Sequence, residues 1–171
     1  MLEKIIYKRL YDFLQVNKLL SETQFGFRKE HSTIHALQHL VECVSGALDK
    51  GYLPMSIFID IRKAFDTVDF KILVDQLKCL GIRGTLLQWH SFLQWHSFLQ
   101  WFESYLLGRS LRVVLNDVTS SSYRLKCGAL QSSVLGSLLY LVYVNAMRFY
   151  LQDIYVTTFA DDTGLPSASV C

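Results

Sequence analysis

The sequence lacks the closely spaced cysteine pairs of a zinc site, and reduced thiols are favoured over a disulfide framework. Its four cysteines are widely separated: Cys43, Cys79, Cys127 and Cys171. No two of them stand at the short spacing of zinc-binding motifs, so we expect reduced thiols, as in most intracellular proteins. A secretory signal peptide is also missing, because charged residues interrupt the apolar positions between Glu3 and Arg9. These absences predict an intracellular protein, cytoplasmic or nuclear, that is not secreted.

Long hydrophobic runs and a strong charge excess are absent as well. The most apolar segment, 134–147, contains Gly136, Ser137 and Asn145. It is shorter than the ~20 residues that a membrane-spanning helix needs, so we predict a buried helix and no membrane association. Seventeen Lys and Arg residues stand against fifteen Asp and Glu residues, a net charge of +2. This balance is compatible with nucleic-acid binding but does not indicate it, because dedicated binders usually carry a larger basic excess.

The remaining pattern is that of a single domain with helices and strands. At 171 residues, 51% of them hydrophobic, the chain is long enough to bury a core. Apolar periodicity predicts helices over 2–20, 32–48, 66–80 or 69–80, 85–107 and 134–149. Ser32 is the predicted N-cap of the second helix, and Asp66 or Asp69 that of the third. Strands are predicted over 55–61, 111–115, 119–126 and 154–159, with a hairpin turn at Asn116-Asp117. No linker is evident, so we predict an α+β fold with helices packed on one face of a small antiparallel sheet.

A tandem repeat interrupts the fourth predicted helix. The hexapeptide 87–92 recurs at once as 93–98, and the repeated region extends to about residue 101. A step of six residues turns a helix by about 600°, so Trp89, Trp95 and Trp101 would point about 120° apart. One helix that is buried on one face cannot hide all three rings. The repeat is either a stacking platform for bases or a duplication that inserts twelve residues into an older helix, and we favour the duplication.

Two short acidic strings stand out because each follows an apolar run. Phe58-Ile59-Asp60 is one, and Phe159-Ala160-Asp161-Asp162 is the other. An ionised carboxylate in apolar surroundings needs a paired charge or a metal. If the two predicted strands are neighbours, about 4.8 Å apart, Asp60 and Asp161 converge on one point.

Convergence of two carboxylates has an energetic consequence. Two like charges about 4 Å apart repel by about 4 kcal/mol at an effective dielectric constant of 20, so a proton or a divalent cation must offset the repulsion. Oxygen ligands of this kind suit magnesium or manganese. For either string alone, a helix cap, a loop residue or a hairpin tip is the better explanation of the aspartates, but the two strings together favour a joint site.

Four motifs in order along nearly the whole chain carry a family resemblance. They are Gln24–Arg28 with His31–Thr33, Phe58–Asp60 with Ala64–Asp69, Gly128–Gly136, and Phe159–Asp162. With them the chain resembles the reverse transcriptase domain of non-LTR (LINE-type) retrotransposons. The resemblance implies a right-hand polymerase palm over 54–171, partial fingers over 1–53, and no thumb.

The resemblance also implies an activity, RNA-directed DNA polymerisation, with an RNA template, a DNA primer and deoxynucleoside triphosphates as partners. It implies two Mg²⁺ (or Mn²⁺) ions held by Asp60 and Asp161, with Asp162 beside them as a third site residue. Phe65 matches the bulky position that excludes a ribose 2′-hydroxyl, and Gln131 the position that places the template base and nucleotide. Arg28 would meet triphosphate or template, although an exposed loop arginine is an equally good interpretation.

The departures from the family pattern predict an impaired, truncated copy. Leu130-Gln131-Ser132 replaces Pro-Gln-Gly, Gly136-Ser137 replaces Gly-Pro, and the sequence ends nine residues after Asp162. The alternatives are an inactive remnant or a non-catalytic nucleic-acid-binding palm, and, more distantly, a magnesium-dependent phosphohydrolase. The row His31, His35 and His39 could suggest a metal face, but solvent-facing or backbone-bonded histidines are the better interpretation. The sequence does not predict an oligomeric state.

Overall fold

The computed structural model describes residues 2–82, 96–125, 127–128, 133–151 and 155–169. The helices are α1 (Leu2–Val16), α2 (Thr33–Asp49), α3 (Phe70–Cys79), α4 (His96–Leu106), α5 (Gly136–Asn145) and α6 (Met147–Tyr150), with a 3₁₀ turn at Ala64–Thr67. The strands are β1 (Leu53–Ile59), β2 (Ser110–Leu111), β3 (Val114–Leu115), β4 (Val118–Thr119), β5 (Tyr123–Arg124), β6 (Thr157–Phe159) and β7 (Asp162–Ser169). Most of the tandem repeat, and Gln131, lie outside the described residues.

The main sheet has three antiparallel strands in the order β1-β7-β6. The expectation that the strands before the two acidic strings pair directly is therefore wrong, because β7 lies between them. The sequence hides β7, since Gly164 and Pro166 are unfavourable inside a strand and Pro166 cannot donate a ladder hydrogen bond. Helix α2 lies against all three strands, and His39 Nδ1 is 2.7 Å from Thr157 Oγ1 in β6.

The core is built around α5, which is apolar on every side. Leu138, Leu139, Leu141 and Val142 are each about 1% exposed, as the predicted buried helix requires. Helix α3 packs against α5, and α1 adds its buried face to the same cluster. Along the described parts of the chain, no helix is long and apolar enough to cross a membrane.

Capping residues and turn residues determine where several helices and strands begin or end. The Ser32 side chain accepts from the His35 N–H, and the Asp69 side chain caps α3, as predicted for these N-caps. Asn116 and Asp117 both have positive φ, 46° and 64°, and they join β3 to β4 in the predicted hairpin. Helix α1 ends at Val16 rather than Leu20.

The early end of α1 has a backbone cause. Lys18 adopts a left-handed φ of 50°, and the Leu19 N–H turns back to donate to the Leu14 carbonyl at 2.9 Å. This is the hydrogen bond of a helix C-cap, and it stops the helix although apolar residues continue to Leu20.

Candidate active site

The two acidic strings lie at the same end of the main sheet. Ile59 pairs with Thr163, so Asp60 follows the last paired residue of β1, while Asp162 pairs with Phe159. Asp161 occupies the turn between β6 and β7 and is half-buried, whereas Asp60 and Asp162 are exposed. Strand pairing through β7 thus brings together residues that are about a hundred positions apart in the sequence.

The turn that carries Asp161 has a strained backbone. It contains two residues, Ala160 and Asp161, closed by the Phe159–Asp162 pair. Ala160 has a left-handed φ of 58°. That conformation costs a residue with a side chain about 1–2 kcal/mol, so contacts from elsewhere must hold the turn.

Gln24 supplies those contacts. Its Oε1 accepts from the Ala160 N–H at 3.2 Å, and its Nε2 donates to the Ala160 carbonyl at 3.3 Å. The same Oε1 accepts from the Gly26 N–H at 2.8 Å. Gln24 is only 3% exposed. Its bond to the Gly26 N–H is buried, and its two bonds to Ala160 are partly buried. The motif Gln24–Arg28 is evident in the sequence, but nothing local to it indicates that it binds this turn.

Gly26 packs directly on the same turn. A Cβ at this position would lie 2.1 Å from the Ala160 nitrogen and 2.7 Å from its Cα. Both atoms are backbone and cannot move aside as a flexible side chain would. Only glycine therefore fits between the motif and the turn.

Backbone hydrogen bonds fasten this motif to β6. The Phe25 N–H donates to the Thr158 carbonyl at 2.8 Å, and the Thr158 N–H donates to the Thr23 carbonyl at 2.9 Å. Gln24 pairs with Thr158 in the parallel direction. The motif thus adds a single parallel bridge at the β6 edge of the sheet.

Three aromatic rings form a cluster beside the carboxylates. Phe65 stacks on Tyr140 with ring centroids 4.3 Å apart, and Phe27 meets both rings edge-on. Tyr140 is 1% exposed, and in the described part of the chain its hydroxyl has no hydrogen-bond partner. Burial, followed by the Asp161, Asp162 and Tyr143 charges, raises the pKa of Tyr140 to about 12.

The unpartnered hydroxyl of Tyr140 should lower the stability of the folded chain. We expect Tyr140→Phe to raise the free energy of unfolding by about 1 kcal/mol, because it removes a buried polar atom and keeps the stacked ring. Urea denaturation at pH 7 measures the change. A Tyr140→Phe chain that is less stable than the wild type would show that the hydroxyl is satisfied.

The increase in the free energy of unfolding that Tyr140→Phe produces should become larger above pH 10. An unfolded tyrosine loses its proton near pH 10, whereas folded Tyr140 keeps its proton up to about pH 12. Between these values the unfolded state binds fewer protons than the folded state, so wild-type stability falls as pH rises. The phenylalanine variant avoids this contribution.

Arg28 holds neighbouring segments of the protein together. Its Nη1 donates to the Ser21 carbonyl at 2.6 Å and to the Gln24 carbonyl at 3.3 Å, and its Nη2 donates to Gln15 Oε1 at 3.4 Å. The side chain is half-buried, so the interpretation as an exposed loop arginine is wrong. Its contact with triphosphate or template stays a prediction.

Two histidines of the row, His31 and His39, bond within the protein, and His35 is exposed. His39 contacts Thr157, as described above, and His31 Nδ1 lies 2.8 Å from the Lys29 carbonyl. Within the described ranges, no group of three or more His, Cys, Asp or Glu side chains is placed to hold a metal ion. The three carboxylates at the sheet end nevertheless provide the hard oxygen donors that Mg²⁺ and Mn²⁺ prefer, so their chemistry fits such an ion.

Known proteins match the chain over almost its whole length. The family model for reverse transcriptase (RNA-dependent DNA polymerase) matches residues 1–169. The probable RNA-directed DNA polymerase from transposon X-element of Drosophila melanogaster is 34% identical over 99% of this chain. The RNA-directed DNA polymerase from mobile element jockey of Drosophila funebris is 30% identical over 100% of it. The chain spans only 18% of the length of each relative.

Solved structures share the fold. Apo telomerase from Candida tropicalis, truncated from its C-terminal domain, superimposes with a TM-score of 0.70 at 12% identity, covering 98% of this chain and 34% of that one. Telomerase from Candida albicans gives 0.67 at 14% identity, covering 96% and 30%. This likeness supports the predicted α+β palm. The family model and the transposon relatives show that the chain belongs to the reverse transcriptase family, as a domain of the LINE type.

Proposed function

We propose that the chain is the palm part of an intracellular RNA-directed DNA polymerase. Such an enzyme adds a deoxynucleotide to the 3′-hydroxyl of a DNA primer paired with an RNA template. The observation that supports this most strongly is the strand pairing, which puts the ends that carry Asp60, Asp161 and Asp162 at one end of the sheet. Carboxylates that approach one another there would favour cation binding, because their mutual repulsion falls when a cation is present.

Each site residue has a proposed task. Asp60 and Asp161 would hold two Mg²⁺ or Mn²⁺ ions, with Asp162 beside them. Bound ions of this kind lower the pKa of the attacking hydroxyl and neutralise charge at the α-phosphate. Phe65, half-buried and stacked on Tyr140, would form the wall against which a deoxyribose fits and a 2′-hydroxyl does not. Gln131 and Arg28 would place the template base and the triphosphate.

A second candidate is a non-catalytic palm that binds nucleic acid, and the altered motif at Leu130-Gln131-Ser132 favours it. Proline at the first position would fix a loop angle, and glycine at the third would allow close backbone approach. Without them, nucleotide placement should suffer even where the carboxylates are intact.

Single-nucleotide extension of a primed RNA template distinguishes the two candidates. We expect little or no extension by the wild type. A repaired chain with Leu130→Pro and Ser132→Gly that also lacks residues 87–98 should add one nucleotide at a clearly higher rate. Asp161→Asn in the repaired chain should abolish the addition. A repaired chain that folds and yet adds no nucleotide would contradict the polymerase and favour the non-catalytic palm.

A further inference from the structure

The residues of the Ala160-Asp161 turn do not by themselves favour its backbone conformation. Its first residue is a non-glycine in the left-handed region, and two-residue hairpin turns with positive φ there favour glycine. Rotation of either peptide of Ala160 would move the Asp161 carboxylate. Both polar backbone atoms of Ala160 are, however, bound to one side chain, that of Gln24.

We infer that Gln24 is a positioning residue, whose amide locks the turn so that Asp161 and Asp162 face Asp60 and can hold divalent ions. The inference rests on the proposed function for the role of the ions. Gln24 itself does not touch substrate or metal in this account. It acts through the backbone of Ala160.

The chemistry of the amide explains why glutamine suits this position. One planar group provides an acceptor for the Ala160 N–H and a donor for the Ala160 carbonyl. A glutamate at pH 7 would keep the acceptor and lose the donor, and a methionine would fill the same volume with neither. Because Gln24 is 3% exposed and its bonds to Ala160 are partly buried, water compensates poorly for their loss.

The segment that leads to Gln24 is connected to the core by the side-chain amide of Asn145. The Ser21 N–H donates to Asn145 Oδ1 at 2.7 Å, and Asn145 Nδ2 donates to the Leu19 carbonyl at 2.8 Å. Asn145 is 4% exposed and lies at the end of α5. It resembles Gln24 in burial and in its bonds to backbone groups, but it does not contact the turn, so it offers a matched control.

The test compares Gln24→Met with Asn145→Leu. Both variants lose buried amide hydrogen bonds, and both should lower the melting temperature. Hydrogen exchange of the Ala160 amide should accelerate about fivefold or more, relative to the wild type, only in Gln24→Met, because only there is its acceptor removed. The rise in melting temperature on adding Mn²⁺ should fall by at least about half in Gln24→Met and remain in Asn145→Leu.

Amide exchange at Ala160 and the effect of Mn²⁺ on the melting temperature test the inference and the proposed function separately. If the Ala160 amide exchanges equally fast in Gln24→Met and Asn145→Leu, or if Mn²⁺ stabilises both variants as it does the wild type, the positioning role is overturned. A wild type without any Mn²⁺ response overturns the proposed function and the metal part of the inference, while the exchange result still decides whether Gln24 holds the turn. Gln24→Glu buries a charge and should also lower the melting temperature, but the Ala160 amide should stay protected because the acceptor is kept.

Discussion

Gly26→Ala should destabilise the chain by about 3 kcal/mol and remove its response to divalent ions. The added Cβ would lie 2.1 Å from the Ala160 nitrogen, far inside the contact distance of two atoms that are not bonded. Overpacking of this kind costs about 1–3 kcal/mol or more, since rigid backbone must move on one side or the other. Here the backbone that moves carries Asp161, so binding should fail together with stability. Urea denaturation and Mn²⁺-dependent melting measure the two effects.

Gly46 in α2 provides the matched control. A Cβ built there meets nothing within 4 Å. Gly46→Ala should therefore stabilise the chain by about 0.5–1 kcal/mol, as expected for alanine in a helix interior, and leave the Mn²⁺ response unchanged. If the two alanine variants behave alike, Gly26 is not packed on the turn as described.

Asp161→Asn should abolish the stabilisation that divalent ions give the wild type. An ion present at a hundred times its dissociation constant stabilises the folded state by about 2.7 kcal/mol. For a domain of this size, that corresponds to a rise in melting temperature of roughly 5–10 °C. Asp60→Asn should have the same effect, because the two carboxylates share the ions. In a chelator, neither variant should be less stable than the wild type, since each removes like-charge repulsion.

An aspartate elsewhere tests whether the effect is specific. Asp12 is exposed on α1 and contributes the same charge. Asp12→Asn should keep the full metal response. An equal response in Asp12→Asn, Asp60→Asn and Asp161→Asn would mean that ions act on the net charge of the chain and not at the sheet end.

The sequence predicted those parts of the fold that depend on neighbouring residues. Ser32 and Asp69 are found as helix caps, and Asn116-Asp117 forms the hairpin turn, because the chemistry that fixes each one is contained in a few adjacent residues. The apolar run in α5 likewise predicts a buried helix. Neighbouring residues do not predict strand β7, because its glycine and proline are unfavourable in strands. The strand is stabilised by pairing with β1 on one side and β6 on the other.

The sequence likewise predicts only part of the candidate site. The three aspartates follow from two short strings and from the resemblance they complete. Their support does not, because Gln24 and Ala160 are 136 positions apart and the bond between them exists only in the folded chain. The orphaned hydroxyl of Tyr140 is also invisible in the sequence, where the residue is one more ring in an apolar helix.

The location of a bound ion is the most direct test of this account. Crystals of the chain soaked in Mn²⁺ would show the ion by its anomalous scattering. We predict a peak between the carboxylate oxygens of Asp60 and Asp161, close to Asp162. A peak confined to other carboxylates, with Asp60 turned away from the β6–β7 turn, would contradict it.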